Sequence, residues 1–113
     1  MIQIFVTGGT IDNRLVAEEA RDLKTYIPAM LEQARVAAPI SVEVLMQKDS
    51  RILNHKDREV ILKKCRDCKE DKILITHGTF TMAETAKYLG ERIARIREKT
   101  IVLIGSAVPF AAE

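Results

Sequence analysis

The sequence has no tryptophan and few aromatic side chains of any kind. Its 113 residues include two tyrosines and three phenylalanines, 4% of the chain. Aromatic rings are the platforms on which single-stranded nucleic acids stack their bases. The formal net charge of +2 is also too small to attract a polyanion by charge alone. We therefore expect no nucleic-acid partner.

Long apolar runs are also missing. None approaches the ~20 residues that a membrane-spanning helix needs, so no membrane partner is expected. The N-terminal segment Met1–Val6 has neither a basic stretch nor a small-residue cleavage site. Without a signal peptide, the default location is cytoplasmic.

Cysteine is scarce, with only Cys65 and Cys68 in the chain. A structural zinc site needs four ligands, and no second cysteine pair is present. Redox pairs with this spacing lie at a helix N-terminus, where the thiolate is stabilised. Cys65 and Cys68 instead fall late in a predicted helix, on its apolar side, which favours core packing. We expect no metal and no cofactor.

The remaining composition is that of a globular protein, with 47% apolar and 30% charged residues. The length predicts a single domain over residues 1–113. Runs rich in β-branched residues predict four strands, at Ile2–Val6, Ile40–Met46, Lys72–Thr76 and Thr100–Ile104. The apolar stretches in the last two strands are continuous, which is typical of parallel strands buried on both faces.

Three helical patterns lie between these strands. Helical spacing predicts the first helix from the residues Ile27, Met30, Leu31, Ala34 and Ala38, with Pro28 in its first turn. The second helix is predicted to begin after Asn54, as its N-cap, and to include both cysteines. The third is predicted to begin at Thr81, which forms a capping-box pattern with Glu84.

The order β-α-β-α-β-α-β predicts an α/β fold, a flavodoxin-like three-layer sandwich with a parallel sheet. In its core strand order of 2-1-3-4, the first and third strands are neighbours. The chain leaves them in opposite directions, so a ligand crevice is expected at their carboxyl ends.

The turns after these two strands are rich in glycine and threonine. The first is Thr7-Gly8-Gly9-Thr10-Ile11-Asp12, and the second is Thr76-His77-Gly78-Thr79-Phe80-Thr81. Glycine allows a close backbone approach, and threonine supplies a hydroxyl that can donate, accept or attack. Each turn alone also fits an ordinary βα connection, but the pair at the switch point favours a site.

At these residues the sequence resembles the bacterial-type L-asparaginase family, amidohydrolases that convert asparagine to aspartate and ammonia. The first family signature matches Thr7–Ile11, and the second resembles 77–85, which reads His-Gly-Thr-Phe-Thr-Met-Ala-Glu-Thr. Lys48-Asp49-Ser50 is similar to the family's substrate loop. Gly105-Ser106-Ala107-Val108-Pro109 is similar to its turn after the fourth strand.

The resemblance implies roles for individual residues. Thr10 is expected to be the nucleophile that forms an acyl-enzyme, and Thr79 the second active-site threonine near the scissile carbonyl. Ser50 is expected to contact the substrate's α-carboxylate. The backbone of Gly9 and Gly78, with that of Thr79, is expected to shape the pocket.

The sequence also departs from the family pattern. Phe80 stands in the substrate site where the family has an aspartate that binds the α-ammonium of the substrate. The sequence stops at Glu113, before the position of the family's catalytic lysine, so we expect this short or truncated form to lack it. The stretch Asp12–Lys24 contains no tyrosine to match that of the family's mobile loop. Tyr26 lies at a predicted helix start and does not inherit that role.

Other features have simpler interpretations. His77 fits a structural turn histidine better than a base, and His55 is expected to be solvated. The basic group Arg92, Arg95, Arg97 and Lys99 complements the end of the third helix. The first turn matches neither the dinucleotide fingerprint nor the P-loop, which argues against phosphate or flavin binding.

The sequence therefore predicts an asparaginase-like amidohydrolase that acts on the side-chain amide of asparagine or a related small amide. The alternative is a catalytically impaired member that serves as a binding or regulatory module. A homo-oligomer is expected because the fourth strand is left uncovered on its outer side.

Overall fold

The computed structural model describes residues 1–12, 25–93 and 99–106. Its strands are β1 (Ile2–Val6), β2 (Ile40–Val44), β3 (Lys72–Thr76) and β4 (Thr100–Ile104). Its helices are α1 (Ile27–Gln33), α2 (His55–Asp67) and α3 (Met82–Ile93), and a short 3-10 turn spans Ser50–Ile52. Some predictions lie outside the described residues: those for 13–24, for Arg95 and Arg97, and for Ala107–Pro109.

The four strands form one parallel sheet in the order β2-β1-β3-β4, which confirms the predicted topology. Val6 is in register with Val44 on one side and with Thr76 on the other, and Thr76 is in register with Ile104. The strands therefore end at one edge of the sheet. The loops that follow them must emerge side by side.

Helices cover both faces of the sheet and make three layers. Ile27 of α1 packs against Ile4 and Val6 on one face. The other face carries the larger core, where α2 and α3 cover the sheet. Its buried members are Phe5, Met46, Leu53, Ile61, Leu62, Cys65, Ile73, Ile75 and Leu89. The alternation of side chains along each strand separates the two cores.

Strand β2 ends at Val44, two residues before the predicted end at Met46. The carbonyl of Val6 accepts hydrogen bonds from two successive N–H groups, at 2.8 Å from Leu45 and 3.3 Å from Met46. Two donors on one acceptor break the regular ladder and redirect the chain into the following loop.

Helix α1 is shorter than its apolar pattern predicted, and Ala38 lies outside it. Arg35 follows the helix with a φ of 54°. Its N–H bonds to the carbonyl of Glu32 at 3.0 Å, and the N–H of Val36 bonds to that of Leu31 at 3.2 Å. This is a Schellman ending with arginine in the left-handed position, which glycine usually occupies.

The predicted caps of the other helices had different outcomes. Asn54 caps α2 as predicted, because its side chain accepts the Asp57 N–H at 2.9 Å while the Asp57 carboxylate accepts the Asn54 N–H at 3.0 Å. The reciprocal box predicted for Thr81 and Glu84 is wrong for the described residues. The Thr81 hydroxyl donates to the carbonyl of Ser50 instead, at 2.8 Å.

Within the described segments, none of the helices has the length and apolar character needed to cross a membrane. The same segments contain no group of three or more histidine, cysteine, aspartate or glutamate side chains placed to hold a metal ion.

Candidate active site

The turn after β1 depends on two glycines with left-handed backbones. Gly8 has a φ of 114° and Gly9 a φ of 98°. A Cβ on Gly8 would lie 2.4 Å from the backbone nitrogen of Lys48. Residues that carry a side chain rarely adopt such φ values, and at these two positions a Cβ would also collide with neighbouring backbone atoms. The absence of a side chain at Gly8 thus allows the backbone of this turn to contact the backbone of the loop after β2.

The turn after β3 meets the same two loops. A Cβ on Gly78 would lie 2.8 Å from the Oγ of Ser50. Thr7 at the end of β1 also donates its hydroxyl to the carbonyl of Thr76, at 2.6 Å. The loops after β1, β2 and β3 therefore converge, and the strand order had predicted this meeting for β1 and β3.

A small crevice of about 80 Å³ lies where these loops meet. All six residues that the sequence analysis assigned to the site line it. They are Gly9, Thr10, Ser50, Gly78, Thr79 and Phe80, joined by Asp49 and Arg51. The topology thus brings the predicted residues together, while their individual roles stay predictions.

Ser50 is buried and is held firmly from the side of α3. Its Oγ accepts the backbone N–H of Thr81 at 3.2 Å, and its carbonyl accepts the Thr81 hydroxyl. The Ser50 hydroxyl keeps its own proton as a donor, because it serves as acceptor in the bond to Thr81.

Phe80 lies at the crevice and is 72% exposed. The Arg51 guanidinium lies 4.9 Å from the centre of the Phe80 ring, within the range of a cation–π contact. Arg51 also pairs with Asp49 through its Nε at 2.9 Å. This hydrogen bond holds the pKa of Asp49 below its usual value of 3.8. The carboxylate at the crevice is thus already neutralised by an arginine.

His77 lies behind the crevice and is fully buried. Its Nδ1 lies 2.7 Å from the carbonyl oxygen of Gly78, and its Nε2 lies 2.8 Å from Oγ1 of Thr85. Burial lowers the pKa of His77 from 6.5. With both ring nitrogens in hydrogen bonds and no exposed surface, the geometry fits a structural turn histidine.

Sequence reasoning missed the position of Asp12. Its buried carboxylate accepts the Tyr26 N–H at 2.6 Å, the Gln47 side-chain amide at 3.1 Å and the Thr25 hydroxyl. Hydrogen bonds from Thr25 and Tyr26 to Asp12 thus connect the two ends of the segment 13–24. The only signal in the sequence was an acidic residue directly after an apolar position in the first turn.

The cysteines take the core position that the sequence predicted. Cys65 is fully buried, and burial raises the pKa of its thiol to about 12. Cys68 is half-buried and lies just outside α2 as its C-cap, so the helix does not include both cysteines as predicted. Both are free thiols, and the raised pKa makes Cys65 a poor nucleophile.

Larger depressions lie away from the crevice. One of about 670 Å³ runs along the exposed side of α2, and one of about 360 Å³ borders the start of β3. Charged side chains such as Lys63, Arg66 and Lys69 line them. Neither gathers hydroxyls and glycines from several loops, so the small crevice is the stronger candidate for chemistry.

Comparison with solved structures finds a similar fold in larger proteins. The probable cytoplasmic L-asparaginase from Campylobacter jejuni is 35% identical, with a TM-score of 0.77 over 98% of this chain and 34% of that one. The thermostable L-asparaginase from Thermococcus kodakarensis is 27% identical, with a TM-score of 0.73 over 99% of this chain and 35% of that one. The chain therefore spans about a third of the length of these relatives.

Comparison with curated protein sequences gave no match. A family model described as the N-terminal part of asparaginase matches residues 1–113. That match covers the whole chain, and its two threonine turns lie together at the carboxyl edge of the sheet. The chain belongs to the asparaginase family and corresponds to its N-terminal region.

Proposed function

We propose that the chain carries the nucleophile of an asparaginase-type amidohydrolase, with Thr10 as the attacking residue. The observation that carries this proposal is that Thr10, Ser50 and Thr79 all line one crevice. These residues come from three different loops, so the fold brings together three hydroxyl-bearing residues that are far apart in the sequence.

The reaction begins when the Oγ1 of Thr10 attacks the carbonyl carbon of the side-chain amide. The C–N bond breaks, ammonia leaves with the hydroxyl proton, and an acyl-enzyme ester remains. Water then hydrolyses the ester and regenerates the threonine. A threonine hydroxyl needs a base and nearby donors for this step. Thr79 is placed near the carbonyl, and backbone N–H groups in its turn supply donors to the developing oxyanion.

The other crevice residues bind the substrate or form the wall of the pocket. Ser50 offers its hydroxyl proton to a carboxylate of the substrate, since its oxygen already accepts from Thr81. Gly9 and Gly78 keep the backbone close enough to form the pocket wall. Phe80 presents an apolar ring at the position where the family's aspartate would hold an ammonium group.

An ammonia-release assay with asparagine and with glutamine tests the proposal. We expect the parent chain to release ammonia weakly and Thr10→Ala to release none above the uncatalysed rate. Thr100→Ala, at the opposite end of the sheet from the crevice, is the matched control. Equal release by the parent and Thr10→Ala would exclude Thr10 as the nucleophile.

A second function is favoured by one observation, the pairing of Arg51 with both Asp49 and Phe80. It leaves the crevice with no unpaired carboxylate among the described residues to receive an ammonium group. In this alternative the chain is a catalytically impaired member that serves as a binding or regulatory module. Calorimetric binding of asparagine by the parent, with no ammonia released, would favour it.

We further propose a cytoplasmic homo-oligomer that uses neither a metal nor a cofactor. Val102 and Ile104 support the association, since they are 50% and 42% exposed on the face of β4 opposite α2 and α3. Exposed apolar side chains on a sheet favour covering by another surface. Sedimentation of the parent and of a Val102→Lys variant tests this, and a monomeric parent would exclude it.

A further inference from the structure

A chain of hydrogen bonds runs behind the crevice from α2 to the second threonine turn. Arg58 donates through Nε to Oγ1 of Thr85 at 2.8 Å. That hydroxyl lies 2.8 Å from Nε2 of His77, and Nδ1 of His77 lies 2.7 Å from the carbonyl of Gly78. Thr85 and His77 are both fully buried. Water therefore has no access to the His77 ring or to the Thr85 hydroxyl, while 12% of the Arg58 side chain is exposed.

With a neutral His77 ring, one arrangement of protons makes all three hydrogen bonds of this chain. The Gly78 carbonyl can only accept, so Nδ1 of His77 must carry the hydrogen. The Oγ1 of Thr85 accepts from Arg58 and is free to donate its own proton. Nε2 of a neutral His77 is the acceptor for that proton. Burial and the charge of Arg58 both lower the pKa of His77, in agreement with a neutral ring.

This arrangement sets the direction of one peptide group in the crevice wall. The described residues contain no cis peptide, so the Gly78–Thr79 peptide is trans and planar. Its carbonyl points inward to His77, and its N–H, on Thr79, must point the opposite way. Among the described residues, this N–H has no hydrogen-bond acceptor. Gly78 and Thr79 both line the crevice.

We propose that Arg58, Thr85 and His77 are positioning residues that hold the Thr79 N–H toward the crevice. There it donates to the oxygen of the amide that becomes negatively charged during attack. The catalytic part of this inference rests on the proposed amide hydrolysis. The orientation of the peptide does not, and can be measured without turnover.

Nitrogen-15 NMR of the parent chain tests the orientation. We expect His77 to be neutral with its hydrogen on Nδ1, and His55→Gln identifies which imidazole signal belongs to His77. Thr85→Val removes the donor to Nε2 at nearly constant volume and is expected to shift both the Nε2 resonance and the Thr79 amide resonance. Thr85→Ser is expected to restore them.

The matched control is Thr76→Val. Thr76 is also buried, but its hydroxyl has no hydrogen-bond partner in the part of the chain that the structure describes. This variant should leave the His77 nitrogens and the Thr79 amide close to their parent values. Arg58→Met provides a second way to break the chain if Thr85→Val does not fold.

Steady-state kinetics test the catalytic consequence, in the Phe80→Asp background if the parent is slow. We expect Thr85→Val to lower kcat for asparagine by about tenfold to a hundredfold with little change in KM. Thr85→Ser should recover most of it. A purely structural role would lower the amount of folded protein without this split between kcat and KM.

Each result decides something different. A hydrogen on Nε2 of His77 in the parent, or an unmoved Thr79 amide in Thr85→Val, would overturn the positioning role. So would an unchanged kcat in an active protein whose Thr79 amide has shifted. Absence of hydrolysis in every variant would instead defeat the proposed function, while the NMR results still decide the orientation of the peptide.

Discussion

A Cβ on Gly9 would lie 2.6 Å from the backbone nitrogen of Gly78, so the two threonine turns touch through their main chains. Almost no side chain fits in that space. The residue before Thr10 and the residue before Thr79 are therefore held at contact distance. This approach is what places the two threonines on one crevice.

Gly9→Ala is expected to destabilise the protein by roughly 1–3 kcal/mol. The new methyl group would meet backbone atoms of Gly78, and alanine disfavours a φ of 98°. Gly90→Ala is the matched control, because nothing lies within 4 Å of a Cβ there and the residue is helical. It should stabilise by roughly 0.5–1 kcal/mol. Urea unfolding measures both, and equal effects would contradict the close approach.

Phe80→Asp is expected to raise kcat/KM for asparagine by about tenfold to a hundredfold. A carboxylate would supply a charge-assisted hydrogen bond worth roughly 1.5–3 kcal/mol to the substrate ammonium. The variant would also offer Arg51 a carboxylate in place of the ring. Phe80→Leu controls for loss of the ring without adding charge. If the parent chain already matches Phe80→Asp, the ring does not limit turnover.

Stability is expected to fall as the pH drops below 6.5, in part because of His77. Burial lowers the folded pKa of this residue below its ordinary value of 6.5. At a pH between the folded and the unfolded pKa of His77, the imidazole is protonated in the unfolded chain and neutral in the folded chain. Acid therefore favours unfolding. One such group contributes at most about 1.4 kcal/mol per pH unit.

The contribution of His77 is measured by unfolding His77→Gln and the parent between pH 5 and pH 8. The variant should have a smaller loss of stability on acidification, and His55→Gln controls for removing an exposed imidazole. Equal slopes for the parent and His77→Gln would show that His77 is not the group that resists protonation.

The two cysteines are expected to react with alkylating agents at very different rates. Burial raises the pKa of Cys65 to about 12, so almost no thiolate is present at pH 8. Cys68 is only half-buried. We expect one rapidly modified thiol per folded chain and two in urea. Mass spectrometry locates the label, and Cys68→Ser should leave the folded chain unmodified over the same time.

Local patterns in the sequence were enough for the order of elements. Strand β3 appeared as a continuous apolar run because its two faces pack into the two cores of the sheet. The prediction that β4 is also buried on both faces is wrong, because Val102 and Ile104 are 50% and 42% exposed. Asn54 was recognisable as a cap because its capping partner Asp57 lies three residues away. These features depend on neighbours along the chain, so they are visible without the fold.

The wrong predictions of caps and element ends arose where a hydrogen-bond partner or a backbone turn outside the local pattern determines the structure. Thr81 and Glu84 match a capping box, but Ser50, which is 31 residues away, accepts the Thr81 hydroxyl. The apolar pattern of α1 continued to Ala38, while the left-handed turn at Arg35 ended the helix. Strand β2 ends earlier than predicted because the N–H groups of Leu45 and Met46 both donate to the carbonyl of Val6 on β1. None of these partners can be read from local spacing.

The sequence by itself determined the family, the strand order and six of the eight residues that line the crevice, because signatures and periodicity are properties of the chain. Only the tertiary structure decided how those residues are used. It paired Arg51 with Asp49 and Phe80, buried Asp12 beneath Thr25 and Tyr26, and joined Arg58 to Gly78 through Thr85 and His77. Hydrogen bonds and ion pairs depend on distance in space, and the parallel sheet brings distant loops to one edge.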